Sequence, residues 1–435
     1  MGLRSIRAVP PPIRQSDIDA CPGALRLHTA ADGPLARIRL PGGRLSGSQL
    51  SALATIAAEW GDTHLELTSR ANIQIRALDR ADPAALASRL AESGLLPSPT
   101  HEVVRNIAAP PVAEPYLRTL VRVLDRALCA DPALAALPGR FLFAIGAVPV
   151  AADLAAIPVR AAEPHSAGTP ADPPGLPDTR VGPSPSFAIL FAGADPGLRV
   201  TAAQVVPALL IAARAFLDLR ADAPAWRLSE LPDGPARVAA HTAERLGTPL
   251  AAGPPPEPAA PEPSIGLLAQ PDGRQAAGAM VPLGRLTTAQ TTVLARAGEL
   301  VVTPWRGILL PDLSPKEAAG WLPALAEIGL PVEPGSRWSG VTACAGRPGC
   351  ARSLADVRAT ATAATRFVDG RPVHWTGCAR GCGSPATPHV RVEATPTGWS
   401  VTVLDGGGAP ATPAGDPGGS GTDRLADLVA AARRR

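Results

Sequence analysis

Lysine is all but absent from this chain of 435 residues: Lys316 stands alone, so nearly all 41 basic residues are arginine. With 51 prolines, 42 glycines and abundant alanine, the composition reads as a GC-rich coding bias. The ordinary reading of any one arginine is then a surface charge that elsewhere would be lysine. Cysteine is scarce as well, six in all, which excludes the small, cysteine-dense scaffold of secreted disulfide domains. The net charge of +3 is too weak to argue for nucleic acid. Apolar runs are short or broken by Pro, Gly or Arg, so no membrane span is expected. The opening MGLRSIRAVPPPIRQSD lacks the apolar stretch of a secretory signal. These absences predict a cytoplasmic, reduced protein without a nucleic-acid or membrane partner. No G-x-G-x-x-G follows a strand pattern, so no nucleotide-binding domain is expected either.

What is present is organised around a repeat. PGGRLSGSQLSALA (41–54) aligns without gaps to PLGRLTTAQTTVLA (282–295), with seven of 14 positions identical. The match resumes weakly at LTSRANIQI (67–75) against VTPWRGILL (302–310). Each copy reads as strand, helix, strand, strand. In ARIRL (36–40), HLELT (64–68) and NIQIR (72–76) side chains alternate as on half-buried strands. Ser46 is placed to cap a helix whose Leu50, Leu53, Ile56 and Trp60 share a face. This is the pattern of a ferredoxin-like half-domain, present twice. The first copy keeps polar Ser69, Arg70, Asn72 and Gln74 where the second has Pro304, Trp305, Gly307 and Leu309, so the first is expected to line a polar site and the second mainly to pack. Pro-rich stretches at 162–186 and 248–264 read as loops or linkers, and a Gly/Pro-rich stretch at 405–422 precedes a short helical segment.

Four of the six cysteines fall in one window: Cys344 and Cys350 as C-x5-C, then Cys378 and Cys382 as C-x3-C. Four thiolates are the number an iron–sulfur cubane needs. Glycines at 346, 349, 377, 381 and 383 let backbone approach a bulky cluster. Structural zinc is the competitor, although C-x5-C is loose for a zinc knuckle. A [4Fe–4S] cluster is favoured.

These cysteine spacings, downstream of two ferredoxin-like repeats, resemble the nitrite/sulfite reductase superfamily over roughly residues 20–400. CPGAL (21–25), TSRANIQIR (68–76), VVRNIAAPP (103–111) and HWTGCARGC (374–382) look most like its precorrin-3B synthase branch. The resemblance implies an α+β fold: two ferredoxin-like half-domain repeats plus two α/β cluster- and tetrapyrrole-binding domains, with pseudo-two-fold symmetry. The domains expected are a half-domain at 18–90, an α/β domain at 91–247, a linker at 248–264, a second half-domain at 265–335, an iron–sulfur domain at 336–404 and a flexible tail at 405–435. It implies a monooxygenase acting on precorrin-3A and dioxygen, with an external donor (ferredoxin, or NAD(P)H with a reductase). Its implied cofactors are the [4Fe–4S] cluster and a mononuclear non-haem iron. The alternative is a sulfite or nitrite reductase with siroheme, bridged through Cys382.

Siroheme reductases carry two lysines in a stretch resembling LPGRFLF (137–143); the matching residues here are Arg140 and Leu142. The synthase branch usually shows Cys-Ala-His-Pro where this chain has Cys382-Gly383-Ser384-Pro385, a departure that leaves a degenerate, non-enzymatic paralogue as a third reading. Carboxylate arms on a tetrapyrrole call for arginine forks. The resemblance places Arg37, Arg70 and Arg105 against them, with Arg76, Arg39 and Arg140 as further candidates. Asn72 and Gln74 are read as hydrogen-bonding the ring edge. Among the histidines, 374, 389, 28 and 101 lie near the motifs, but no spaced pair marks an iron site.

Overall fold

The computed structural model describes residues 21–159, 186–221, 224–251, 256, 264–385, 387–405, 412–415 and 421–435. All but the last residue of the Pro-rich stretch at 162–186, with His165, and most of 248–264 and 405–422 lie outside the described residues. The chain divides into two compact units: Met1–Cys21 with Val103–Pro261, and Pro22–Glu102 with Glu262–Arg435.

The second unit opens with β1 (His28–Ala30), β2 (Gly33–Ile38), β3 (Arg44–Ser46), α1 (Gly47–Trp60), β4 (Leu65–Leu67), β5 (Ile73–Ile75) and α2 (Pro83–Glu92). The first unit then runs β6 (Ile107–Ala108), α3 (Pro115–Cys129), β7 (Phe143–Ile145), β8 (Leu154–Val159), β9 (Ser186–Phe191), β10 (Arg199–Thr201), α4 (Ala202–Arg220) and α5 (Gly234–Leu246). The chain returns to the second unit with β11 (Gly266–Ala269), β12 (Gln275–Met280), β13 (Arg285–Leu286), α6 (Thr288–Leu294), β14 (Glu299–Val302), β15 (Gly307–Leu313) and α7 (Pro315–Glu327). It ends with β16 (Val341–Ala343), α8 (Val357–Ala364), β17 (Val373–Thr376), β18 (His389–Thr395), β19 (Gly398–Leu404), β20 (Thr412–Gly415) and α9 (Thr422–Arg433).

The two repeats fold alike down to single hydrogen bonds. Ser46 and Thr287 each cap their helix with a reciprocal box to Gln49 and Gln290. In the next turn, Thr68 N–H donates to Asn72 at 2.9 Å and Thr303 N–H to Gly307 at 3.0 Å, with Ala71 and Arg306 both at positive φ. The halves also exchange strands. β13 of the second repeat closes the sheet β1-β2-β5-β4-β13, and β3 of the first closes β11-β12-β15-β14-β3. One apolar core, including Leu50, Leu53 and Ile56 of α1 and Leu300 and Ile308 of the second sheet, serves both.

The remaining sheets are topological twins. β6-β7-β8 run parallel with β9 and β10 antiparallel beyond them, and β16-β17-β18 run parallel with β19 and β20 antiparallel beyond. The fold is thus α+β, as expected, with each of two kinds of five-stranded sheet built twice.

Two local expectations change. α4 is, by length and composition, apolar enough to cross a membrane, contrary to the reading that all apolar runs are broken. Its buried side, including Val205, Leu209, Ala212 and Phe216, packs within the core of the first unit, and Arg214 pairs with Asp131 at 2.6 Å. The segment expected as a flexible tail ends in α9, whose Leu425, Ala426, Val429 and Ala432 belong to the core of the last sheet. Buried Arg433 donates to the carbonyls of Arg371 (2.7 Å) and Ser339 (2.8 Å), which ties that helix down.

Candidate functional site

Strand register in the first half-domain builds a polar ladder. Arg37 of β2 sits opposite Gln74 of β5, Gln74 opposite Glu66 of β4, and Glu66 opposite Arg285 of β13. The side chains follow the register: Arg37 donates to Gln74 Oε1 at 3.1 Å, and Gln74 donates to Glu66 Oε2 at 2.6 Å. Arg285 stands 3.7 Å from Glu66 and pairs with Asp62 at 2.7 Å. From α8, Arg358 closes on Glu66 at 2.5 Å. The equivalent row of the second sheet reads Gly278, Leu309, Val301 and Arg44. One repeat thus presents polar side chains where the other packs. Burial would raise the Glu66 carboxyl, but Arg358, Arg76 and Gln74 together hold it below its ordinary range.

The remaining first-repeat residues lie at the ends of these strands and in the turn between β4 and β5. Arg76 grips Asp32 through Nε and Nη2, both at 2.8 Å, and donates to the carbonyl of Gly349 at 2.7 Å. Asn72, buried, takes the backbone N–H of Leu40 at 2.8 Å, so its amide oxygen locks a turn where a ring-edge contact was expected. Arg70 is half-buried in the Thr68–Asn72 turn. Arg39 is buried, with its guanidinium on the carbonyl of Pro22 at 3.4 Å.

The residues expected beside them from the first unit are otherwise engaged. Arg105 is buried in a two-pronged pair with Asp125 of α3, both distances 2.8 Å, so an internal carboxylate occupies the fork that was expected to meet a ligand. Arg140 is exposed and stacks over Trp226, 5.1 Å from the ring centre.

The cysteines sit on two adjoining loops. Cys344 follows β16 and Cys378 follows β17, which are parallel neighbours. Cys344 N–H donates to the carbonyl of Trp375 at 2.9 Å, and Leu354 N–H to that of Gly377 at 2.8 Å, which stitches the loops together. Gly377 N–H donates to the Cys344 sulfur at 3.3 Å, the kind of contact that tunes a cluster thiolate. A side chain at Gly377 would fall 1.9 Å from Ser353 Oγ, and one at Gly346 would fall 2.8 Å from Val357 N. All four thiols are free, Cys382 exposed and the others half-buried. The donors therefore suit an iron–sulfur cluster in number, kind and loop chemistry. Their sulfurs are not gathered: among the described residues no three His, Cys, Asp or Glu side chains converge closely enough to hold a metal ion.

Histidine does not complete an iron site. His374 is fully buried, with Nε2 at 3.0 Å from the Cys382 carbonyl and Nδ1 at 2.9 Å from the Thr342 hydroxyl. A carbonyl can only accept, so the ring proton is assigned to Nε2, and Nδ1 accepts from Thr342. Burial, with Arg306 and Arg391 nearby, pushes its pKa down to about 4 despite that bond, so the ring is neutral. His389 places Nδ1 at 2.8 Å from the Thr387 carbonyl and keeps Nε2 buried without a partner among the described residues. His28 is exposed, and His101 holds Ser98 and Thr100, each at 2.9 Å. Among the described residues these histidines form no two-histidine, one-carboxylate set.

Sequence reasoning missed two groups. Glu102 is caged by the CPGAL loop: Leu25 N–H at 2.7 Å, Arg26 N–H at 3.2 Å and Ala24 N–H all donate to its carboxylate. Arg306 was hidden because the repeat alignment sets it opposite Ala71.

Residues 28–93 match the model of the nitrite/sulfite reductase ferredoxin-like half domain. A ferredoxin–nitrite reductase of Synechococcus elongatus is 30% identical over 401 residues, 81% of this chain and 74% of that protein. A precorrin-3B synthase of Sinorhizobium sp is 26% identical over 440 residues, 94% of this chain and 88% of that protein. Among solved structures, the Mycobacterium tuberculosis NirA protein superposes with a TM-score of 0.67 over 91% of this chain and 79% of its own, at 20% identity, a likeness of fold. With its half-domain matched and its length shared with these enzymes, the chain belongs to the nitrite/sulfite reductase family of oxidoreductases.

Proposed function

We propose that the chain is a precorrin-3B synthase-type monooxygenase, which hydroxylates precorrin-3A with dioxygen and closes a lactone in aerobic cobalamin synthesis. The observation that carries this reading is Leu142. The siroheme reductases that this stretch resembles use lysine there, and a six-electron reduction needs protons delivered to the anion. Leu142 is 2% exposed, and its backbone N–H is tied to Asp153 at 2.9 Å; it can move no proton. The similarity to a precorrin-3B synthase along nearly the whole chain supports the same reading.

Cys344, Cys350, Cys378 and Cys382 would hold a [4Fe–4S] cluster, which supplies single electrons when bound. Arg37 and Arg70, on the first half-domain, are assigned to the acetate and propionate arms of the substrate. Gln74 and Glu66 fix the strand face from which Arg37 projects. Reducing equivalents come from outside the chain, through a ferredoxin or through NAD(P)H and a reductase. No residue role here depends on a non-haem iron, since among the described residues the histidines supply no ligand set for one.

A siroheme-dependent nitrite or sulfite reductase is the second reading, favoured by the higher identity to a ferredoxin–nitrite reductase. Absorption of anaerobically purified protein separates the two: strong bands of stoichiometric siroheme overturn the monooxygenase. Turnover of precorrin-3A under labelled dioxygen is expected to label the product, and unlabelled or absent product counts against it.

A further inference from the structure

Most arginines around the ladder and the cysteine loops hold a partner. Arg37 holds Gln74, Arg76 holds Asp32, Arg285 holds Asp62, Arg358 holds Glu66, and Arg391 holds Glu393. Arg306 is different. Among the described residues its guanidinium has no ion pair and no hydrogen bond, although the residue is only partly accessible. Burial and the nearby Arg358 weaken its charged form, and Glu66, which makes no direct contact with it among the described residues, offsets this only in part.

The backbone is shaped to place this side chain. Arg306 sits at φ +59°, a conformation that non-glycine residues seldom adopt, in a turn closed by its own N–H to Thr303 at 2.9 Å. In the first repeat the same turn carries Ala71 at φ +56°. The arginine stem lies across Gly284, where a Cβ would stand 2.9 Å from its Cδ. Its tip reaches the second cysteine loop, where a Cβ on Gly383 would stand 3.8 Å from Nη2. Gly383, at φ +84°, puts no side chain between the guanidinium and His374, whose ring lies 3.5 Å from the position a Cβ would take. The next residue, Ser384, keeps its hydroxyl buried without a partner among the described residues.

We infer that Arg306 anchors a planar oxyanion, the carboxylate of a ligand or a free ion of the same shape, against the Gly383–Ser384 turn. A half-buried guanidinium whose fork makes no hydrogen bond is costly, and a two-oxygen anion satisfies that fork. The inference rests on the tetrapyrrole reading only for the source of the anion: a substrate arm if that reading holds, a free ion such as nitrite if it does not.

The test titrates the full-length protein, as isolated, with uroporphyrin (a stable tetrapyrrole octacarboxylate) and separately with sodium nitrite, following tryptophan fluorescence and calorimetry. Arg306→Gln is expected to weaken porphyrin binding about tenfold or more, the loss of a charged hydrogen-bonding pair. Arg306→Lys restores part of it, and Arg352→Gln, at an exposed arginine of the first cysteine loop, changes nothing. The thermal midpoint of ligand-free Arg306→Gln is not lowered, because no internal hydrogen bond or ion pair is lost and the glutamine stem still covers Gly284. Arg306-dependent binding of nitrite without porphyrin binding keeps the anchor and sinks the tetrapyrrole reading. The inference is overturned if wild type binds neither probe, or if Arg306→Gln and Arg306→Lys bind both as wild type does. A lowered midpoint with unchanged affinity also overturns it, since that marks a structural role.

Discussion

Arg76 fastens the first cysteine loop to the first half-domain: one guanidinium holds Asp32 through two hydrogen bonds of 2.8 Å and the carbonyl of Gly349, next to Cys350, at 2.7 Å. With the Arg76 side chain 6% exposed and that of Asp32 13%, the pair is largely out of water. Removing one partner strands the other. Arg76→Ala is expected to lower unfolding stability by about 3 kcal/mol. Lysine supplies charge and three donors on a single nitrogen, but not the planar fork that reaches both Asp32 oxygens and the Gly349 carbonyl, so Arg76→Lys recovers only part. Urea denaturation checks both, and iron release to a chelator reports whether the Gly349 contact matters to the loop.

Glu66 makes the acid limb of stability readable. Its burial is outweighed by Arg358, Arg76 and Gln74, which hold its pKa below the ordinary 4.5. A carboxyl depressed by folding stabilises fully above its unfolded value and loses that stabilisation as pH falls through the folded one. Wild type is thus expected to lose stability below about pH 4.5, and Glu66→Gln to show a shallower acid slope from a lower plateau. Parallel slopes for the two proteins between pH 3 and 6 would remove Glu66 from this role.

The repeat, the Ser46 cap and the strands were legible because each leaves a periodic or positional mark. The strand exchange was not: β13 is two residues long and β3 three, too short to carry alternation. The polar face was legible from Arg37, Gln74 and Arg76, yet Glu66 passed as one more polar member of HLELT, since its partners come from β13 and α8. Arg105 shows a related limit. A motif marks a position, whereas the carboxylate that claims the guanidinium, Asp125, lies a helix away in sequence. Arg306 was overlooked because an arginine-rich chain makes any single arginine look ordinary.

Gly377 is the tightest point between the cysteine loops. A methyl there meets Ser353 Oγ at 1.9 Å and Ser353 Cβ at 2.8 Å, and Ser353 in turn takes its N–H to the carbonyl of Cys350 at 3.0 Å. Gly377→Ala is therefore expected to push the first loop away from the second, at about 1–3 kcal/mol of stability. Ser353→Gly in the same chain removes both colliding atoms and should return most of it. Non-additivity in this double-mutant cycle is the diagnostic; simple additivity of the two losses would show that the loops are not in contact here.

Cys350 carries the assignment of the quartet, because the C-x5-C half is what separates a cubane from a zinc knuckle. Its loop is held from three sides, by Arg76 on Gly349, by Ser353 N–H on the Cys350 carbonyl, and by Arg347 on the Ser353 carbonyl at 2.8 Å. Replacing one sulfur with oxygen leaves that scaffold intact, so Cys350→Ser should keep the thermal midpoint of the metal-free protein. Reconstituted anaerobically, wild type is expected to take up about four irons and four sulfides with broad visible absorption, and Cys350→Ser to lose most of each. Full iron, sulfide and colour in the variant would strike Cys350 from the ligands, and zinc without sulfide in wild type would replace the cluster with a structural site.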